Sequence, residues 1–262
     1  AGEDSMGGVG GAGGVFYAIN QILPIGSYSI RVGRGGVGGT TNNNGGTSTT
    51  IRNGVESSLM NSNGSSYISF MLDGSYQQLR GYGGGGGGVF SYLNGQNGGS
   101  GGGSTNMFAF DSGQPLQGLT FWNGVEYVAG GKAGRLNSYR DGFTFFPAGG
   151  GGVGNESIDF TNGNEGAIIN ILGTSNYYGA GGGAGQYYIQ GDADRIGTGQ
   201  WYTPGEFLPI EDVGFGGSSI GGNGQIWNGS TILREATSGI DGTGSGGGGT
   251  TQTINSHVGI AG

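Results

Sequence analysis

Apolar residues in this chain come in short bursts separated by stretches of glycine. The segment Ser27-Tyr28-Ser29-Ile30-Arg31-Val32 alternates polar and apolar side chains, which is the period of a half-buried strand. Residues 67–72, 106–110 and 167–172 are apolar runs of strand length. No segment sustains the apolar stripe of an amphipathic helix. The pattern predicts an all-β chain with little or no α-helix.

Turn chemistry predicts hairpins between these bursts. Asn-Gly or Asp-Gly flanked by apolar runs is the strongest short-range hairpin signal, because both central residues take positive φ. It stands at Asn123-Gly124, between Leu119-Thr120-Phe121-Trp122 and Val125-Glu126-Tyr127-Val128. It recurs at Asp141-Gly142, ahead of residues 143–146, and at Asn228-Gly229, between Ile226-Trp227 and Thr231-Ile232-Leu233.

The glycine-rich stretches are 7–14, 33–46, 81–104, 149–154, 179–185, 214–224 and 239–249. Together they account for most of the 71 Gly among 262 residues, beside only 5 Pro. Collagen is excluded, since its triple helix needs Gly at every third position and abundant Pro. Disorder is opposed by 13 Tyr, 12 Phe and 3 Trp with only 10% charged residues, because disordered chains are poor in aromatics and rich in charge. Two readings of the runs remain. As linkers they would be flexible, since glycine loses the most conformational freedom on ordering. As extended helices of three residues per turn they could pack side by side without Cβ atoms and satisfy each other's N–H and C=O groups. The interleaving of runs and strands favours packed polyglycine-II-type helices within one domain over 1–262.

Charge and cysteine content narrow the function. The net charge is −8, and the nine Lys and Arg form no basic stripe, so no nucleic-acid partner is expected. No run of about 20 apolar residues is present to insert in a membrane. Absence of cysteine removes disulfides and thiolate chemistry. The chain begins with Ala and shows no signal peptide, and is expected to be processed or part of something longer.

Candidate chemistry is sparse. Gly33-Arg34-Gly35-Gly36-Val37-Gly38 fits the dinucleotide fingerprint in letters, but Thr40-Thr41-Asn42-Asn43-Asn44 follows where a helix is required. His257 is the only histidine and lies in no nucleophile motif. Asp192 and Asp194 lack the further oxygen ligands of a calcium loop. No catalytic residue, metal or cofactor is expected, and the chain reads as a non-enzyme. The sequons Asn63, Asn155 and Asn228 are glycosylation candidates, with Asn228 also explained as a turn residue. The aromatics Tyr177, Tyr178, Tyr187, Tyr188, Trp201 and Tyr202 flank a glycine run. They serve either to cover the edges of the packed glycines or to contact a partner. The first reading suits the Tyr pairs. Trp201 and Tyr202, in a loop ending at Pro204, are the leading partner-contact candidates, with Tyr187 and Tyr188 beside them.

The order of these motifs resembles a glycine-rich domain of phage and large-virus fibre proteins and of bacterial surface proteins. It is distantly similar to the extracellular glycine-rich region of anaplastic lymphoma kinase. The likeness starts at Gly7-Gly8-Val9-Gly10-Gly11-Ala12-Gly13-Gly14-Val15-Phe16-Tyr17 and is most specific over Pro24-Ile25-Gly26-Ser27-Tyr28-Ser29-Ile30-Arg31-Val32-Gly33-Arg34-Gly35-Gly36. It continues through the runs at 83–88, 98–104, 174–185 and 241–249. Residues 106–146 and 187–213 depart from it, being more aromatic. The resemblance implies a polyglycine-helix core exposed on a cell or virion. It implies a structural subunit of a fibre, hair or appendage that self-associates. The alternative it leaves open is an adhesin that recognises a host glycan or surface protein.

Overall fold

The hairpin signals resolve into four small sheets. The computed structural model describes residues 9–18, 22–34, 65–88, 95–104, 113–116, 120–122, 125–127, 148–155, 161–171, 173–187, 214–227 and 231–250. β1 (Ser29–Arg31), β2 (Ser66–Leu72) and β3 (Ser75–Gly81) form an antiparallel sheet in that order. β4 (Thr120–Trp122) and β5 (Val125–Tyr127) pair with Trp122 opposite Val125, which is the two-residue connection expected at Asn123-Gly124. β6 (Ala167–Ile171) and β7 (Thr174–Tyr178) form another hairpin. In the last sheet β9 (Ile226–Trp227) lies between β8 (Gln186–Tyr187), to which it is parallel, and β10 (Ile232–Arg234), to which it is antiparallel. The fold is all-β. Among the described residues no α-helix occurs, and a 3-10 turn spans Gly217–Ser219.

Some hairpins differ from the expected set. Asp73-Gly74 closes β2 and β3 with Leu72 opposite Ser75, and its φ values of 49° and 77° are both positive, as the turn demands. Gly173, at φ 84°, turns β6 into β7. At Asn228-Gly229 the connection has four residues rather than two, because Trp227 pairs with Ile232. Asp141-Gly142 and the runs 106–110 and 143–146 lie outside the described residues.

The glycine runs build the interior. Gly11 donates to the Gly85 carbonyl at 2.7 Å and Gly14 to the Tyr82 carbonyl at 2.8 Å. Three residues forward on one run is thus three residues back on its neighbour, so the two are antiparallel. Between those two bonds, Ala12 turns to Gly151 and Gly13 to Gly244. Run 180–185 behaves identically: Gly181 donates to Asn164, Gly182 to Gly10, Gly183 to Gly222, and Ala184 returns to Thr161 on the first neighbour. Successive residues therefore point to three different neighbours, and the fourth comes back to the first. This is the signature of a three-residue screw bonded outward on all sides. The repeat of three also marks parallel neighbours, as where Gly246 bonds Ala180 and Gly249 bonds Gly183.

Run 9–14 sits centrally. It donates to runs 82–88, 148–154 and 239–249 and accepts from runs 98–104 and 180–185. The spacing is too small for side chains. A Cβ built at Gly84, Gly102 or Gly181 falls within 3.0 Å of a neighbour's backbone atoms. Buried side chains on the runs are mostly small, as at Ala12, Ala148, Ala180, Ala184 and Ser100, with larger ones at Val9, Thr161, Asn164 and Gln225. The one side-chain core among the described residues lies outside the bundle. There Phe70 and Leu79 are buried against Phe16, Ala18, Tyr28, Ile68 and Leu72.

This packing sorts the glycines. At Gly10 the nearest atom to a Cβ is 3.6 Å away, so Gly10→Ala is expected to be neutral or to stabilise by up to about 1 kcal/mol through the unfolded state. Gly84→Ala, Gly102→Ala and Gly181→Ala are each expected to cost more than about 3 kcal/mol, because the clashing partner is hydrogen-bonded backbone that cannot give way. Urea denaturation of the four variants measures the contrast.

Candidate functional site

Registers traced from run to run give the bundle two ends. Residues 14, 82, 154, 166, 179 and 244 meet at one end, and 9, 104, 148, 161, 185 and 249 at the other. β3 runs into residue 82, and β6 and β7 leave and rejoin the bundle at 166 and 179. The first end therefore carries the β1–β3 sheet, the β6–β7 hairpin and the turn at 241–244. A hydrogen bond of 3.2 Å from the Tyr17 hydroxyl to the Asn170 carbonyl ties the segment after run 9–14 to β6. The second end carries β8, β9 and β10.

Among the described residues the two ends differ in surface chemistry. Ile22, Leu23 and Ile25 stand exposed ahead of β1, Ile22 at 90%. Ile30 on β1 and Val32 just after it are 73% and 80% exposed. Met71 and Tyr76 face each other at the tip of β2–β3, and Ile168 faces Tyr177 on the outer side of β6–β7. Among the described residues Ile171 and Ile240 are also exposed at this end, and Leu233 at the other. The alternation that predicts a half-buried strand holds at Tyr28, which packs against Phe70, while Ile30 and Val32 stay exposed. Ile30 shares its sheet face with Ile68 and Leu79, but is not among the residues packed against the Phe70–Leu79 core.

At the β8 end, Arg234 holds two carbonyls of the bundle. Its Nε donates to Gly224 at 2.9 Å and its Nη2 to Gly214 at 3.0 Å, with the guanidinium 4.4 Å from the Phe215 ring centroid. Burial lowers its pKa below the ordinary value. The sequence carries no signal for this role, because an isolated Arg in a short strand has no distinguishing spacing.

The sequence-derived candidates fall unevenly. Trp201, Tyr202, Tyr188, Asn63 and Asn228 lie outside the described residues, as do His257, Asp192 and Asp194. Tyr187 is in β8, in register with Trp227. The segment that carries Trp201 and Tyr202 is anchored at both limits, Tyr187 and Gly214, at the β8 end. Asn155 is exposed, and its side-chain amide donates to Glu165 at 3.3 Å. Tyr177 is exposed on the outward face of its hairpin and so does not cover the glycines, while Tyr178 is half-buried. Among the described residues no group of three or more His, Cys, Asp or Glu converges, and no helix is long and apolar enough to cross a membrane. No protein-family model, curated protein or solved structure matches the chain.

Arg234→Ala is expected to cost about 1–3 kcal/mol, since two buried carbonyls lose a charged donor. Arg234→Lys recovers only part of this, because an ammonium cannot reproduce the planar fork. Chemical denaturation of both variants tests the order.

Proposed function

We propose that this chain is a non-enzymatic structural subunit of an extracellular or virion-surface assembly, such as a fibre, hair or appendage. The observation that carries the reading is the apolar end. Eleven large apolar residues among the described ones stand exposed there, and exposed apolar surface gathered in one region marks a contact with another protein. The glycine bundle suits the same role. Each run is held by several neighbours through backbone bonds, so the body is stiff without a side-chain core. The resemblance to glycine-rich fibre and surface domains agrees with this reading.

A second reading, a receptor-binding adhesin, is favoured by one observation. Both anchors of the Trp201 segment sit at the end away from the apolar surface. A host glycan or surface protein bound there would leave the β1 end free.

Negative-stain microscopy of the purified chain separates the two. Regular filaments or large particles are expected for the subunit. Discrete small particles that retain a target in a glycan and cell-binding screen would replace it with the adhesin. Trp201→Ala is expected to preserve the thermal melt and to weaken assembly or binding. A lost fold with no association phenotype would count against a contact role for Trp201.

A further inference from the structure

We propose that the glycine bundle is a load-bearing element, with run 9–14 as the clamp that carries tension between the chain entering at Val9 and the β1 end. The inference rests on the subunit reading and adds the direction in which such a subunit is strong. Run 9–14 threads the bundle lengthwise, with Val9 at the β8 end and Gly14 at the β1 end. Run 239–250 returns antiparallel beside it, with Gly13 bonded to Gly244 and Gly249 back at the β8 end. Among the described residues the chain thus enters at Val9 and leaves the last run at Thr250 at one end, and the exposed apolar residues of β1–β3 and β6–β7 stand at the other. An assembly held by those residues would put tension along the axis of run 9–14.

Two pulling directions load the same bonds differently. A pull on the β2–β3 tip is passed by β3 straight into residue 82, so it draws run 82–88 against run 9–14 lengthwise. The two are antiparallel neighbours, bonded Gly11 to Gly85 and Gly14 to Tyr82. Sliding run 9–14 strains every bond it makes at once, as donor from Gly11, Ala12, Gly13 and Gly14 and as acceptor at Val9, Gly10 and Ala12. Those bonds reach runs 82–88, 98–104, 148–154, 180–185 and 239–249, so the load spreads across the bundle. A straight slide restores the pattern only after a full turn of three residues, roughly 9 Å. A one-residue slip leaves each N–H facing the wrong neighbour. Tension between Val9 and Thr250 instead pulls both runs from one end. It peels run 239–250 away in steps, opening the bonds of Gly249 before those of Gly246 and Gly244.

The absence of cysteine lets pulling handles be attached at chosen sites of the full chain. Single molecules are stretched at one speed through three pairs: Ala1→Cys with Ser75→Cys, Ala1→Cys with Thr174→Cys, and Ala1→Cys with Gly262→Cys. Ser75 and Thr174 are exposed at the tips of their hairpins, and all three pairs are expected to keep the thermal melt. The Thr174 handle, through β7, draws run 179–185 lengthwise against run 9–14, its antiparallel neighbour through Gly182 and Gly10. Forced unfolding follows the barrier along the pulled direction rather than equilibrium stability, so both lengthwise pairs are expected to unfold at a force at least about twofold higher than the Gly262 pair. Equal forces in all three overturn the clamp. High force from only one lengthwise pair places the strength in that hairpin rather than in run 9–14, and overturns it too. Filaments in the microscope together with equal forces leave the subunit reading standing without the clamp. High lengthwise forces in a chain that forms discrete small particles uphold the clamp and remove the assembly reading.

Discussion

Everything in this fold depends on backbones approaching more closely than a Cβ permits. Runs of three residues per turn present N–H and C=O groups outward in three directions, and only bare glycine lets neighbours come near enough to pair them. The bonds by themselves do not stabilise the bundle. A backbone hydrogen bond nets about 1 kcal/mol, while fixing one residue's backbone costs about 1–2 kcal/mol, and glycine lies at the costly end. Close packing must supply the remainder, through dispersion between touching main chains and Cα–H···O contacts. Both weaken sharply if the runs separate, since a gap of about 0.5–1 Å forfeits a quarter to a half of the dispersion well. The same contact that forbids a side chain is the one that stabilises, and the bundle therefore tolerates almost no dilution of its glycines.

A core built from main chain leaves little room inside for large side chains. The rings and branched residues are displaced to the strands at the two ends. There a small sheet can cover one face but has little to cover the other. At the β1 end, Phe70 and Leu79 are closed in and Ile30 and Val32 are left out. At the β8 end, Arg234 bridges two bundle carbonyls. The division into an end with exposed apolar residues and one held by Arg234 follows from where each connection leaves the bundle. That is fixed by the direction of each run.

Much of this was legible in the chain. The strands at 120–122, 125–127 and 167–171 follow from apolar runs and an Asn-Gly turn. The packed glycine reading follows from runs interleaved with strands. Asp73-Gly74 carries the same hairpin signal as Asn123-Gly124 and was open to the same argument. The neighbours of each run were not legible. Glycine offers no side chain whose pattern could encode a register, so nothing in 9–14 announces that Gly11 meets Gly85 and Gly13 meets Gly244. The exposure of Ile30 was hidden for a related reason: alternation reports which face a residue shares, and not whether that face is covered along its whole width. Trp201 and Tyr202, the sequence's best contact candidates, remain a proposal about an end whose anchors alone are described.

The separation between body and ends has a consequence for how such a chain can change. In a side-chain core, a substitution in a loop disturbs packing that other elements share. Here the bundle is held mainly by main chain, and a connection joins it where one run ends and the next begins. The ends can then be altered independently of the body and of each other. An apolar surface at one end can be kept self-complementary while the aromatic segment at the other is replaced. On this argument the subunit and the adhesin readings are not rivals for the same surface.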